Sequence, residues 1–124
     1  MEVICMQQYK HTPFDEETLE AMIQYNTNNP SKNHFSLIDA RIISLIHSYS
    51  YSEMLFFASN KYLAERCLTS SPTVQKSINK LLDHNFITKK VACINGRKQR
   101  ILSYNEHAVD QFKKEMLLAA PQAP

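Results

Sequence analysis

The sequence predicts a mainly α domain carrying a small β-hairpin, an α+β arrangement, on three observations. Apolar residues recur at helical spacing in several stretches, each preceded by a residue suited to capping. The only glycine follows an asparagine, between two runs rich in β-branched and aromatic residues. That is the strongest short signal for a hairpin. The chain of 124 residues suits one core rather than two. A single glycine also argues against the Gly-rich phosphate loops of nucleotide-binding folds. No run reaches the roughly 18–20 apolar residues of a membrane span. Met1 to Lys10 lacks the basic-then-apolar order of a signal peptide. Cys5, Cys67 and Cys93 are odd in number and far apart, which predicts reduced thiols in a cytoplasm.

Thr12-Pro13-Phe14-Asp15 offers a cap, a proline at the first helical position and an acid three residues after the cap. It predicts a first helix over residues 12–25, with Leu19, Met22 and Ile23 inward and a loop over Asn26 to Asn33. Ser36-Leu37-Ile38-Asp39 is an acidic capping box. Ile38, Ile42, Leu45, Ile46 and Tyr49 follow it on one helical face, and the Ser/Tyr stretch from Ser48 to Ser52 is expected to end that helix. Leu55-Phe56-Phe57 reads as a short extended segment. Ser59 or Asn60 caps a short helix to about Cys67, with Leu63, Ala64 and Cys67 inward.

Ser70-Ser71-Pro72-Thr73 opens a longer helix with Val74, Ile78, Leu81 and Leu82 inward and Asn85 at its end. Two runs, from Phe86 to Ile94 and from Gln99 to Tyr104, flank Asn95-Gly96. A two-residue turn there pairs residues whose numbers sum to 191, so Val91 faces Arg100 and Lys89 faces Leu102. Ile87, Val91, Leu102 and Tyr104 then share the inner face. Asn105 caps a last helix over 105–118 with Ala108, Val109, Phe112 and Met116 as its stripe, and 119–124 is expected to be a flexible tail.

The formal charge of +2 hides an uneven distribution. Met1 to Leu55 carries three basic and seven acidic residues, and Asn105 to Pro124 carries two and three. Phe56 to Tyr104 holds nine basic residues against Glu65 and Asp83, a net of +7. Positive charge concentrated in this way suits a polyanion.

Short helix, tight turn, longer helix and hairpin is the order of a winged helix-turn-helix. Phe57-Ala58-Ser59-Asn60-Lys61-Tyr62-Leu63-Ala64-Glu65-Arg66, Ser70-Ser71-Pro72-Thr73-Val74-Gln75-Lys76-Ser77-Ile78, Leu81 and Phe86-Ile87 together resemble the bacterial winged helix-turn-helix. The resemblance extends to those of plasmid and phage replication proteins and small mobile-element regulators. It covers residues 36–104 and implies a winged helix-turn-helix with additional N- and C-terminal helices, within one domain over 1–118. Leu68 stands near the position where the family usually has a glycine, a departure from its pattern, although Leu68-Thr69 can still form a wider turn.

With its apolar face inward, the longer helix presents Ser71, Thr73, Gln75, Lys76, Asn79 and Lys80. Gln and Asn can pair bidentately with adenine edges in the major groove, and Lys reaches guanine or phosphate. Ser70, Ser71 and the free N–H groups of the helix start suit a phosphate oxygen. Arg97, Lys98 and Arg100 surround the hairpin turn, with Arg97 at the tip suited to a minor groove. Lys61 and Arg66 on the preceding helix suit backbone contacts, and Lys89 and Lys90 are further cations of the wing.

His11, His34, His47, His84 and His107 share no metal-ligand spacing with the cysteines, and Cys67 and Cys93 read as small buried hydrophobes. No nucleophile–base pair stands out, so neither an enzyme, a metal nor a cofactor is expected. The expected function is sequence-specific binding of double-stranded DNA in the nucleoid-associated cytoplasm. It would serve transcription, a replication origin or a partition site of a mobile element. A winged-helix adaptor binding another protein is the alternative. One recognition helix covers one half-site, so a homodimer is expected, with the C-terminal helix (Val109, Phe112, Met116) as its contact.

Overall fold

Capping chemistry sets most element boundaries in the computed structural model, which describes residues 16–30 and 33–119. The helices are α1 (Glu16–Asn28), α2 (Leu37–Tyr51), α3 (Asn60–Arg66) and α4 (Ser71–Asp83); strands β1 (Ile87–Ile94) and β2 (Arg97–Tyr104) precede α5 (Glu106–Ala119). The Ser36 hydroxyl accepts from Asp39 N at 3.2 Å while Ser36 N donates to Asp39 Oδ2 at 2.8 Å, the reciprocal capping box. Ser59 and Ser70 cap α3 and α4 by accepting from Tyr62 N and Thr73 N. Asn105 Oδ1 accepts from Ala108 N at the start of α5.

The apolar faces meet in one core. Ile42, Ile46, Leu63, Val74, Ile78, Leu81 and Val109 are fully buried, each worth about 1.5–3 kcal/mol of removed apolar surface. Helix α2 packs on α4 and on β2, and α3 packs on α4. Phe56 bridges Leu102, with Leu102 N donating to Phe56 O at 2.9 Å, as the extended reading of Leu55 to Phe57 requires. The hairpin is antiparallel from Ile87↔Tyr104 to Ile94↔Arg97, the register expected from the turn. Asn95 and Gly96 both take positive φ, 53° and 77°, as a type I′ turn demands. Asn85 takes φ 63° just beyond α4.

Helices α1 and α5 pack on each other at the edge of this core. Five rings join them to it: Phe112 lies 4.8 Å from Phe86, 5.8 Å from Phe35 and 6.1 Å from Tyr25, and His84 lies 4.7 Å from Phe35. This packing corrects the expected dimer contact. Val109 is fully buried, Phe112 is buried and Met116 is half-buried within the protomer, so none of the three offers an open apolar face.

Other expectations shift for local reasons. Helix α1 runs on through Asn26, Thr27 and Asn28 instead of ending at Tyr25. There Asn26 spans to the Phe35 backbone, accepting from its N–H and donating to its carbonyl. Thr18, Ala21 and Met22 form the buried face of α1, while Ile23 is exposed at its edge. Helix α2 continues to Tyr51 with Ser48 buried, and Glu53 at φ 59° follows its end. Val91 and Cys93 are exposed because this part of the hairpin extends past the core, whereas Ile101 and Leu102 nearer its base are buried. The predicted start of the first helix, Cys5 and the end of the predicted tail lie outside the described residues.

Candidate nucleic-acid interface

Helix α4 places its functional side chains by its strongly one-sided pattern. Val74, Ser77, Ile78 and Leu81 are buried, so Ser71, Gln75, Lys76 and Asn79 are exposed on the opposite side. Ser70 is exposed at the cap, its hydroxyl donating to Thr73 Oγ1 at 3.0 Å, and Thr73 is half-buried. The turn from α3 brings this face into position through Leu68. Its φ is 54°, the left-handed region that glycine enters without strain, and its side chain is 94% exposed. Thr69 N then closes the turn on Ala64 O at 2.9 Å. No wider turn is needed, because leucine itself adopts the glycine-like backbone.

Of the nine basic residues between Phe56 and Tyr104, seven are exposed: Lys61, Arg66, Lys76, Lys89, Lys90, Arg97 and Lys98. Arg66 also lies over the Tyr62 ring, 5.8 Å from its centroid. The other two are engaged inside the protein and differ from the expectation of open cationic contacts. Lys80 Nζ sits 2.7 Å from Asp39 Oδ2 and donates to His34 O at 2.7 Å. Asp39 is fully buried, so this pair joins α4 to the capping box of α2. Arg100 is half-buried; its Nη1 donates to Asn60 Oδ1 at 2.9 Å and its Nη2 to Ala58 O at 3.0 Å. Burial presses its pKa downward, yet arginine stays cationic over the working pH range.

Asn60 was not singled out as a binding residue, although it connects the pieces. Its Nδ2 donates to Gln75 Oε1 at 2.7 Å, and Gln75 Nε2 donates to Asn79 Oδ1 at 3.0 Å. One hydrogen-bond chain therefore runs from β2 through the start of α3 to the exposed face of α4. The spacing of Gln75 and Asn79, one helical turn apart, was the available signal for its last link.

Residues 35–87 match the family of the helix-turn-helix domain. The match covers less than half of the chain. With the hairpin that follows, the element order of short helix, turn, longer helix and hairpin is the one expected of a winged helix-turn-helix, with α4 as the longer helix and β1–β2 as the hairpin. No curated protein matches the chain. Among solved structures it is similar to wild-type ZitR of Lactococcus lactis in complex with DNA, at 18% identity and a TM-score of 0.45. That likeness covers 83% of this chain and 72% of the other.

The helix-turn-helix surface can neutralise phosphates through its exposed cations and offers amide groups for base edges. Among the described residues, no group of three His, Cys, Asp or Glu side chains is placed to hold a metal ion. Burial pushes the Cys67 thiol upward, away from the reactive thiolate form. No described helix is long and apolar enough to cross a membrane.

Proposed function

We propose that the chain is a sequence-specific double-stranded DNA-binding protein that acts by occupying its site. The site belongs to a promoter it regulates, or to a replication origin or partition region of a plasmid, phage or other mobile element. One observation carries this reading: Gln75, Lys76 and Asn79 are exposed together on α4, beside a wing whose Arg97 and Lys98 are exposed near its turn. Helix α4 would enter the major groove, with Ser70, Ser71 and Thr73 at its start near a phosphate. Arg97 would reach the adjacent minor groove, and Lys61, Arg66 and Lys98 would hold backbone phosphates. Displaced counterions supply affinity; the α4 amides supply selection.

A homodimer completes the proposal, since one recognition helix covers one half-site. Its contact would use surface other than the buried stripe of α5. Selection of bound duplexes from a random pool tests the whole reading. It should return two half-sites about one helical turn apart, with affinity that falls steeply as salt rises.

The adaptor is the second reading, favoured by the exposed apolar side chains of Leu55, Phe57 and Tyr62. It displaces the first if the protein shows no salt-dependent duplex binding at low ionic strength.

A further inference from the structure

We infer that Arg100 and Asn60 are positioning residues that set the amide polarity of Gln75 and Asn79, so that α4 offers hydrogen-bond donors and prefers the acceptor edge of guanine. The inference rests on the proposed DNA readout and specifies what that readout selects. A guanidinium can only donate. Arg100 Nη1, held in place by its companion bond to Ala58 O, therefore obliges Asn60 to turn its oxygen toward β2. The Asn60 amino group is left to face Gln75, which must answer with Oε1. Gln75 Nε2 then faces Asn79, which answers with Oδ1.

Each amide would otherwise be free to flip, since its two ends are nearly equal in shape. The charge at one end removes that freedom along the whole chain. The chain leaves one proton on Gln75 Nε2 and both protons on Asn79 Nδ2 uncommitted, while each of the two amide oxygens keeps only its second lone pair. Donors aimed into a major groove meet their best partner in guanine, whose N7 and O6 both accept. The exocyclic amine of cytosine, a donor, is disfavoured at the same place.

Reversing the polarity tests the inference. In Asn60→Asp the new carboxylate still accepts from Arg100 but cannot donate to Gln75. Gln75 must then turn Nε2 toward it and Oε1 toward Asn79, whose Nδ2 answers, and Asn79 Oδ1 becomes free to accept. An acid at the first position of α3 suits the helix dipole, so the variant should fold. Duplex selection with the wild-type protein should enrich guanine at the base pair facing Asn79. With Asn60→Asp the relative preference for guanine over cytosine there should fall about fivefold or more.

Arg100→Lys, which keeps a donor-only head, should retain the wild-type preference, and Arg100→Met should broaden it. Side-chain amide NMR on the free protein tests the polarity without DNA: in Asn60→Asp the Asn79 amino protons should gain protection from exchange. The inference is overturned if Asn60→Asp weakens all sequences uniformly with guanine still preferred, or if those amino protons do not change. Absence of salt-dependent duplex binding by the wild type instead removes the DNA reading itself, and the base preference with it.

Discussion

Lys76 and Lys80 stand one turn apart on α4, yet belong to different regions of the molecule. Lys76 is exposed beside Gln75 and Asn79. Lys80 turns inward to a fully buried carboxylate and a backbone carbonyl. Arg97 and Arg100 repeat the contrast on the wing, the first exposed and the second half-buried against the start of α3. Residue type is the same in each pair; what differs is whether an acceptor from another element lies within reach. The region of α3, α4 and the hairpin thus has an outer layer of exposed cations and amides, and an inner layer in which charge fixes the elements that carry them. Breaking the inner layer should cost stability, whereas breaking the outer one should cost binding.

The largest loss is expected beneath both layers, in the ring cluster. Phe112→Ala removes contacts with Phe35, Phe86 and Tyr25 and should destabilise by about 3–4 kcal/mol. Denaturant unfolding followed by circular dichroism measures it. A loss under about 1 kcal/mol would mean that α1 and α5 are not bound to the core through this ring.

Lys80→Ala comes next and bears directly on the two-layer contrast. It strands the buried Asp39 carboxylate, whose Oδ1 already has no hydrogen-bond partner, and should cost about 3 kcal/mol. Lys76→Ala should change stability by less than about 0.5 kcal/mol. In the same duplex titration it should weaken binding across sequences and lower the salt slope by about one. Equal stability losses in the two variants would erase the distinction between the layers.

What the sequence showed of this arrangement was whatever local chemistry decides. Ser36 with Asp39, Ser59, Ser70 and Asn95-Gly96 act within a few residues of themselves, and the caps, turn and hairpin register follow from them. Lys80 and Arg100 were legible as cations but not as tethers, because their partners lie 41 and 40 residues away. The acid of the capping box could have raised the question, since Asp39 shares its helix with a buried apolar face. Likewise, the α5 stripe signals that something must cover Val109 and Phe112. Periodicity does not tell whether the cover is the chain's own aromatic cluster or a second copy.

Leu68→Gly should produce a smaller change of opposite sign. A left-handed leucine carries about 1 kcal/mol of backbone strain, and its exposed side chain does little to offset that. Glycine relieves the strain but widens the unfolded ensemble, so the net gain should be about 0.5 kcal/mol, or roughly 2 °C in Tm. A variant that melts lower than the wild type would show that this leucine is held by contacts that its exposure does not reveal.

The finest test uses pH, because His84 sits where the two layers meet. Its ring lies among Tyr25, Phe35 and Phe86, one turn after Lys80. Burial among those rings lowers its pKa; Asp83 and Asp39 pull it upward, and Lys80 adds to the lowering. Burial prevails, so the folded protein holds the neutral ring more firmly than the unfolded chain does. On acidification the unfolded chain takes up its proton first, near the ordinary histidine value of about 6.5. The stability contributed by the neutral ring is therefore complete above that pH and is lost as pH falls toward the depressed folded value. His84→Phe keeps the ring packing without the titration. Between pH 7.5 and 5.5 the wild type should lose more stability than this variant, while the carboxylates and other histidines contribute equally to both. Parallel losses would show that His84 is not the group through which acid loosens the junction of α4 with the aromatic cluster.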